Sequence, residues 1–153
     1  MNIAVIGTQV AEVELIYKTK VPAKLRPAIK CSNDAYEILR ASWDDNRIEL
    51  VEQFKILLLN RSGRVLGISE ISSGGITQTV VDARIIFAIA LKSNACSIIL
   101  AHNHPSSSVK PSEPDIALTR KIKMAGQLLD IIVQDHLIIT NNSYYSFADE
   151  AII

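Results

Sequence analysis

The chain has 153 residues, 48% of them hydrophobic and 21% charged, which is enough apolar mass for one ordinary domain and argues against both disorder and a membrane span. Sixteen Lys and Arg balance sixteen Asp and Glu, so the net charge of zero gives no global electrostatic case for nucleic-acid binding. Two cysteines, Cys31 and Cys96, are too few for a disulfide framework and lack Cys-x-x-Cys spacing, which favours a reducing cytoplasm.

The opening MNIAVIGTQV has no basic start and only a short apolar run, so no signal peptide is expected. Val13, Leu15 and Tyr17 alternate with other residues, several charged, and predict a half-buried strand that Pro22 and Pro27 then break. Lys18, Lys20, Lys24, Arg26 and Lys30 follow with no acid among them. Such a run is usually a solvated edge, and Lys18–Lys30 is the one segment through which DNA association is expected to run. Ser32 is expected to cap a helix reaching Trp43. FKILLLN (Phe54–Asn60) and VLGISEI (Val65–Ile71) flank Arg61-Ser62-Gly63-Arg64, a hairpin signal with glycine in the turn. That hairpin places Glu70 near a strand end. After Gly74-Gly75, residues Thr79 to Asn94 predict a helix burying Val81, Ile85, Ala88 and Ile89. The strand Cys96 to His102 comes next, with a continuous apolar run that buries both faces and packs Cys96 in the core.

The stretch Ala101 to Asp115, AHNHPSSSVKPSEPD, carries the chemistry. Alternate strand residues point the same way, so His102 and His104 aim both imidazoles at one point while Asn103 faces away. After seven intervening residues comes Ser112, and Asp115 then offers a carboxylate from the first turn of a helix. Two imidazoles and one carboxylate leave a fourth tetrahedral position for water, the donor pattern of catalytic zinc, which lowers the pKa of that water to about 7. Ser112-Glu113-Pro114-Asp115 is also a plausible helix start, with serine as cap and an acid suited to the dipole. The two readings are compatible, because Ser112 can cap while Asp115 projects outward.

Beyond Pro114, residues Leu118, Ile122, Ala125 and Leu129 recur at helical spacing, leaving Arg120, Lys121 and Lys123 outward. Ile131 to Thr140 reads as a strand, Asn141-Asn142 as a turn and Tyr144 to Phe147 as a short return. His136, beside Asp135 in this apolar strand, is read as a core histidine satisfied by backbone or by its acidic neighbour rather than as a support of the metal site.

His102-x-His104, seven residues, Ser112, two residues, Asp115 resembles the JAMM motif of the JAB/MPN metallopeptidases, and LAHNHPS with DIALTR downstream resembles their bacterial RadC branch. The resemblance implies an α/β helix-sheet-helix sandwich with a mixed β-sheet, the JAB/MPN architecture related to cytidine deaminases. It implies one Zn2+ per chain on His102, His104 and Asp115, oxyanion stabilisation by Ser112, and a glutamate general acid/base from an earlier strand. The best match for that glutamate is Glu70 in GISEISSGG, whose plain alternative is a solvated strand carboxylate.

Two departures are visible. RadC-like sequences usually read HNHPSG, and Ser107 stands where that glycine would supply positive φ or close approach. Longer members carry a helix-hairpin-helix module, for which residues before Glu12 leave no room, so the expectation is an extension over 1–11 and one domain over 12–153. The implied function is a zinc metallopeptidase cleaving an amide or isopeptide bond in a peptide or protein substrate, under a family name associated with DNA repair. The alternatives are a nonenzymatic DNA- or protein-binding accessory module and a metal-dependent nuclease. The His-x-Glu and Pro-Cys-x-x-Cys of zinc deaminases are absent.

Overall fold

The apolar runs of the sequence become the strands of one mixed sheet in the computed structural model, which describes residues 10–75 and 79–153. The strands are β1 (Gln53–Leu59), β2 (Val65–Ser73), β3 (Ser97–Asn103), β4 (Ile132–Ile139) and β5 (Tyr144–Ser146), in the order β2-β1-β3-β4-β5. β1 and β2 form the expected hairpin. Its turn holds Gly63 at φ 73°, and the Asn60 side-chain oxygen accepts the Ser62 and Arg64 N–H groups. Only β3 and β4 pair in parallel, which requires a long crossover, and α3 (Glu113–Leu128) supplies it.

Helices cover both faces, as expected for an α/β sandwich. The helix α1 (Ser32–Ala41) buries Ala35 and Leu39 against Leu57, Leu59, Ile99 and Leu137. On the other face α2 (Ala83–Lys92) and α3 bury Ile86, Phe87, Ala90 and Ile122 against Phe54, Ile56, Ile98 and Leu100. Because β1 and β3 are covered on both sides, every residue of each is buried, which is why each carries an unbroken apolar stretch, 56–59 in β1 and 98–101 in β3.

Strand alternation sorts the functional side chains between these faces, and two of the three register shifts among the described strands reset it near the site. Phe54 pairs with His102, so both belong to the α2/α3 face. In β2, Phe54 pairs with Ser72 but Lys55 with Glu70, leaving Ile71 as an extra residue. In β4, Ile98 pairs with Val133 but Ile99 with Asp135, leaving Gln134 extra. That second bulge turns His136 to the same face as Leu100 and His102.

Several expectations are corrected. Residues 10–20 form no strand, and Val13 and Leu15 are 92% and 78% exposed, because no partner strand lies beside them. The first nine residues of the expected extension lie outside the described residues. The first helix is capped one residue before Ser32: Asp34 accepts the Cys31 and Lys30 N–H groups, and Ser32 donates to Asp149. The helix expected from Thr79 begins at Ala83 behind the Asp82 cap, and it buries Ile86, Phe87 and Ala90 rather than Ile85 or Ala88. Leu129 lies beyond α3 and is 42% exposed. Cys96 is exposed at the entry to β3 rather than packed in the core. No described helix is long and apolar enough to cross a membrane.

Candidate metal centre

His102 is the penultimate residue of β3, and His104 follows one strand period later, so both rings leave the sheet on the α2/α3 face. Their Nε2 atoms are 3.0 Å apart. His102 is almost fully buried, stacked on Phe54, while His104 is half-buried at the rim. The His104 Nδ1 lies 2.7 Å from the Ser108 carbonyl, which only accepts. Nδ1 therefore carries the proton, and a neutral His104 presents its Nε2 lone pair to His102.

Asp115 enters from the start of α3. Ser112 Oγ accepts the Asp115 N–H at 3.2 Å, and Asp115 Oδ2 accepts the Ser112 N–H at 2.9 Å, a complete capping box. The cap fixes the carboxylate rather than consuming it. Asp115 Oδ1 stands 3.3 Å from His102 Nε2, and Oδ2 3.4 Å from His104 Nε2. A tetrahedral ion with bonds of about 2.0–2.1 Å has ligand-to-ligand edges of about 3.3 Å. Each imidazole thus lies about one such edge from an Asp115 oxygen, a different oxygen for each ring, and imidazole and carboxylate are donors that a divalent metal accepts.

The carboxylate next to this pair on its other side is Glu52. One ligand atom each from Glu52, His102 and His104 lies within 4.8 Å of the others. Glu52 Oε1 is 3.9 Å from His102 Nε2, and the residue is buried. The backbone holds it on both sides, with Glu52 N–H on the Gly75 carbonyl and Gly74 N–H on the Glu52 carbonyl. Asn103, between the histidines, points to the opposite face and pins the same segment. It accepts the Gln53 N–H at 2.7 Å and donates to the Ile48 and Val51 carbonyls.

Glu70 is not brought to the histidines. The Ile71 bulge sets it opposite Lys55, on the α1 face, where it is exposed and accepts from Gln53 Nε2 at 3.2 Å. The residue that stands where Glu70 was expected is Glu52. Its signal in the sequence is that it lies two residues before Phe54, on Phe54's face of the strand that pairs with His102.

His136 also differs from expectation. Its backbone N–H meets Asp135, but its ring does not: Nε2 lies 2.8 Å from His102 Nδ1, and Nδ1 2.6 Å from Thr119 Oγ1. The Asp135 carboxylate serves β5 instead, accepting from Ser146 Oγ and the Ala148 N–H.

The electrostatics follow from burial against neighbours. Burial raises the Glu52 pKa above its ordinary value, and the two histidines only partly oppose it. Burial would also raise Asp115, yet the facing His102 and His104 rings, when they carry a proton on Nε2, outweigh it and hold that carboxyl well below the usual carboxylate range. For His104, burial works downward, but the Asp115 carboxylate and the Ser108 carbonyl prevail and raise the pKa. His136, wholly enclosed and with no carboxylate hydrogen-bonded to its ring, is pushed well down by burial, and the more distant Asp115 charge does not reverse this.

Glu52, His104, Ser106, Ser108, Lys110 and Ser112 line a cleft of about 470 Å³ at the rim, within the size range of small-ligand sites. Over it Ser107 adopts φ 64°, the backbone conformation that favours glycine.

The description "RadC-like JAB domain" belongs to the family model that matches residues 29–152. The chain is 48% identical over 101 residues to a UPF0758 protein of Flavobacterium johnsoniae, covering 66% of this chain and 44% of that protein. A UPF0758 protein of Alkaliphilus metalliredigens is 38% identical over 82% of this chain and 53% of its own length. One from Chlorobaculum parvum is 34% identical over 95% and 64% respectively. The chain thus spans roughly half the length of the curated relatives it matches, and with the family model covering most of it, it belongs to the RadC-like JAB domain family.

Proposed function

We propose that the chain is a zinc-dependent hydrolase that cleaves an amide bond in a peptide or protein substrate, with one ion held by His102, His104 and Asp115. The observation that carries this reading is the convergence of two imidazole Nε2 atoms at 3.0 Å on the two oxygens of one buried-edge carboxylate at 3.3 and 3.4 Å. Three such donors with an open fourth position suit a catalytic rather than a structural ion. When bound, the ion supplies Lewis acidity and makes water acidic enough to yield hydroxide near neutral pH.

The remaining work falls to the chain's own groups. Glu52, buried on the histidine face with Oε1 3.9 Å from His102 Nε2, accepts the proton of the attacking water and returns it to the leaving amine. Ser112 engages only an acceptor lone pair in capping α3, so its hydroxyl proton is available to donate to the oxyanion. Asn103 and the Gly74-Gly75 backbone hold the Glu52 segment against β3.

Turnover is measured on a peptide that wild type cleaves, beside zinc content per chain. Glu52→Gln should lower kcat by about 10²-fold or more while zinc stays bound, and Glu70→Gln should match wild type. Unchanged turnover in Glu52→Gln removes that carboxylate from the reaction. A wild type that refuses zinc overturns the hydrolase reading and favours an accessory binding module, whereas zinc-dependent cutting of DNA without peptide cleavage redirects it to a nuclease.

A further inference from the structure

Behind His102 lies a run of hydrogen bonds whose directions are all decided by one carbonyl. Thr119 sits one turn beyond Asp115 on α3, with Oγ1 2.6 Å from the Asp115 backbone oxygen. A carbonyl only accepts, so the single hydroxyl proton points there. The same Oγ1 lies 2.6 Å from His136 Nδ1 and so accepts the proton of that nitrogen. His136 is enclosed by Phe54 and Phe147, stacked on the latter with centroids 4.7 Å apart, and no carboxylate oxygen reaches its ring to hold a second proton. Its Nε2 is then a lone pair, 2.8 Å from His102 Nδ1, which donates to it. His102 is left with a bare Nε2, facing His104 Nε2 at 3.0 Å and Asp115 Oδ1 at 3.3 Å.

We propose that Thr119 and His136 are positioning residues for the metal, acting together to lock His102 in the Nδ1–H tautomer that offers Nε2 to the ion. This rests on reading His102, His104 and Asp115 as the metal centre. A ligating histidine commonly donates its second N–H to a carboxylate, a carbonyl or water, and the first two of these can only accept. A histidine acceptor is different, because in its other tautomer it would donate to His102 Nδ1 and turn the proton onto His102 Nε2. Thr119 removes that freedom. The run starts and ends on Asp115, whose carbonyl orients Thr119 and whose carboxylate faces the nitrogen that results. A threonine that back-bonds to its own helix is common and accounts for the first contact, but not for the second one to His136.

Thr119→Val keeps the branched shape and removes the hydroxyl, while Thr119→Ser keeps the hydroxyl and removes a methyl. In chelator-competition titrations with zinc, Thr119→Val and His136→Phe should bind about 10–100-fold more weakly than wild type, and Thr119→Ser should stay close to it. A packing role predicts the reverse order for the two threonine variants, and either that order or an unchanged Thr119→Val overturns the proposal. Imidazole 15N spectra of the metal-free proteins supply a readout that needs no ion. His102 and His136 should both read as Nδ1–H in wild type and Thr119→Ser, and lose that state in Thr119→Val. A wild type that shows these tautomers but takes no zinc refutes the metal reading; one that takes zinc with other tautomers refutes the proposed lock.

Discussion

Ser107 holds φ 64° in the loop from β3 to α3, with its N–H on the His104 carbonyl at 3.0 Å. A side chain with a Cβ costs about 1–2 kcal/mol in that region. Its hydroxyl makes in return only a 3.4 Å contact with Glu49 at the surface. The extra freedom of glycine in the unfolded chain offsets about 0.4–1 kcal/mol of the relief. Ser107→Gly should therefore stabilise the fold by about 0.5–1 kcal/mol, raising Tm by about 1–4 °C in thermal unfolding. A lower Tm would show that the serine supplies a contact worth more than its strain. At this scale the spacing of His102, His104 and Asp115 was legible because each requirement is local, one strand face and one helix turn. The partner carboxylate was not, because whether Glu52 or Glu70 shares that face depends on a bulge at Ile71, which alternation along one strand does not reveal.

Gly126 is where α3 must approach β4. A Cβ there would overlap the Ile131 carbonyl oxygen, a backbone atom, while meeting Val133 and Phe87 at ordinary contact distance. The same turn is closed by the Ile131 N–H on the Gly126 carbonyl at 2.9 Å, so the carbonyl has little room to withdraw. Alanine is the better helix former by about 1 kcal/mol, but overpacking a fixed contact costs about 1–3 kcal/mol, and here the backbone itself must shift. Gly126→Ala should lower the urea midpoint, with a net loss of about 1–2 kcal/mol. A raised midpoint would mean that the approach of α3 to β4 is loose. Among the elements, the burial of α2 was the part least legible. Its run Ile85, Ile86, Phe87, Ala88, Ile89, Ala90 is apolar all round, so helical period alone selects no face. The buried face is decided by packing, which sets Ile86, Phe87 and Ala90 in one core with Phe54, Ile56, Ile98 and Leu100 of the sheet. The residues around Val13 failed for the opposite reason: their alternation is strand-like, but they make no ladder with the β2 edge, which the segment touches only through side chains such as Tyr17 on the Leu66 carbonyl.

At the scale of the molecule, the alternation of apolar runs with amphipathic segments made the sandwich legible, and the parallel β3–β4 pair follows from the helix between them. The metal-centre residues come from the segment before β1, the end of β3 and the start of α3, so they converge only in the folded chain. An ion that needs this convergence binds the native state far better than the unfolded one, and must stabilise it by mass action. At 100 times its Kd the gain is about 2.7 kcal/mol, and for a domain of this length each kcal/mol moves Tm by about 2–4 °C. Zinc added to metal-free protein should therefore raise Tm by about 5–10 °C, with less if Cys31, Cys96 and the histidines of the unfolded chain compete for it. A chelator should reverse the shift, and His104→Ala should abolish it without lowering the metal-free Tm by a comparable amount, because His104 sits at the rim and carries little of the core. A wild-type Tm indifferent to zinc would mean that the convergence of His102, His104 and Asp115 is held by the bonds that fix each of them separately, the α3 cap, the Ser108 carbonyl and His136, with no ion required to complete it.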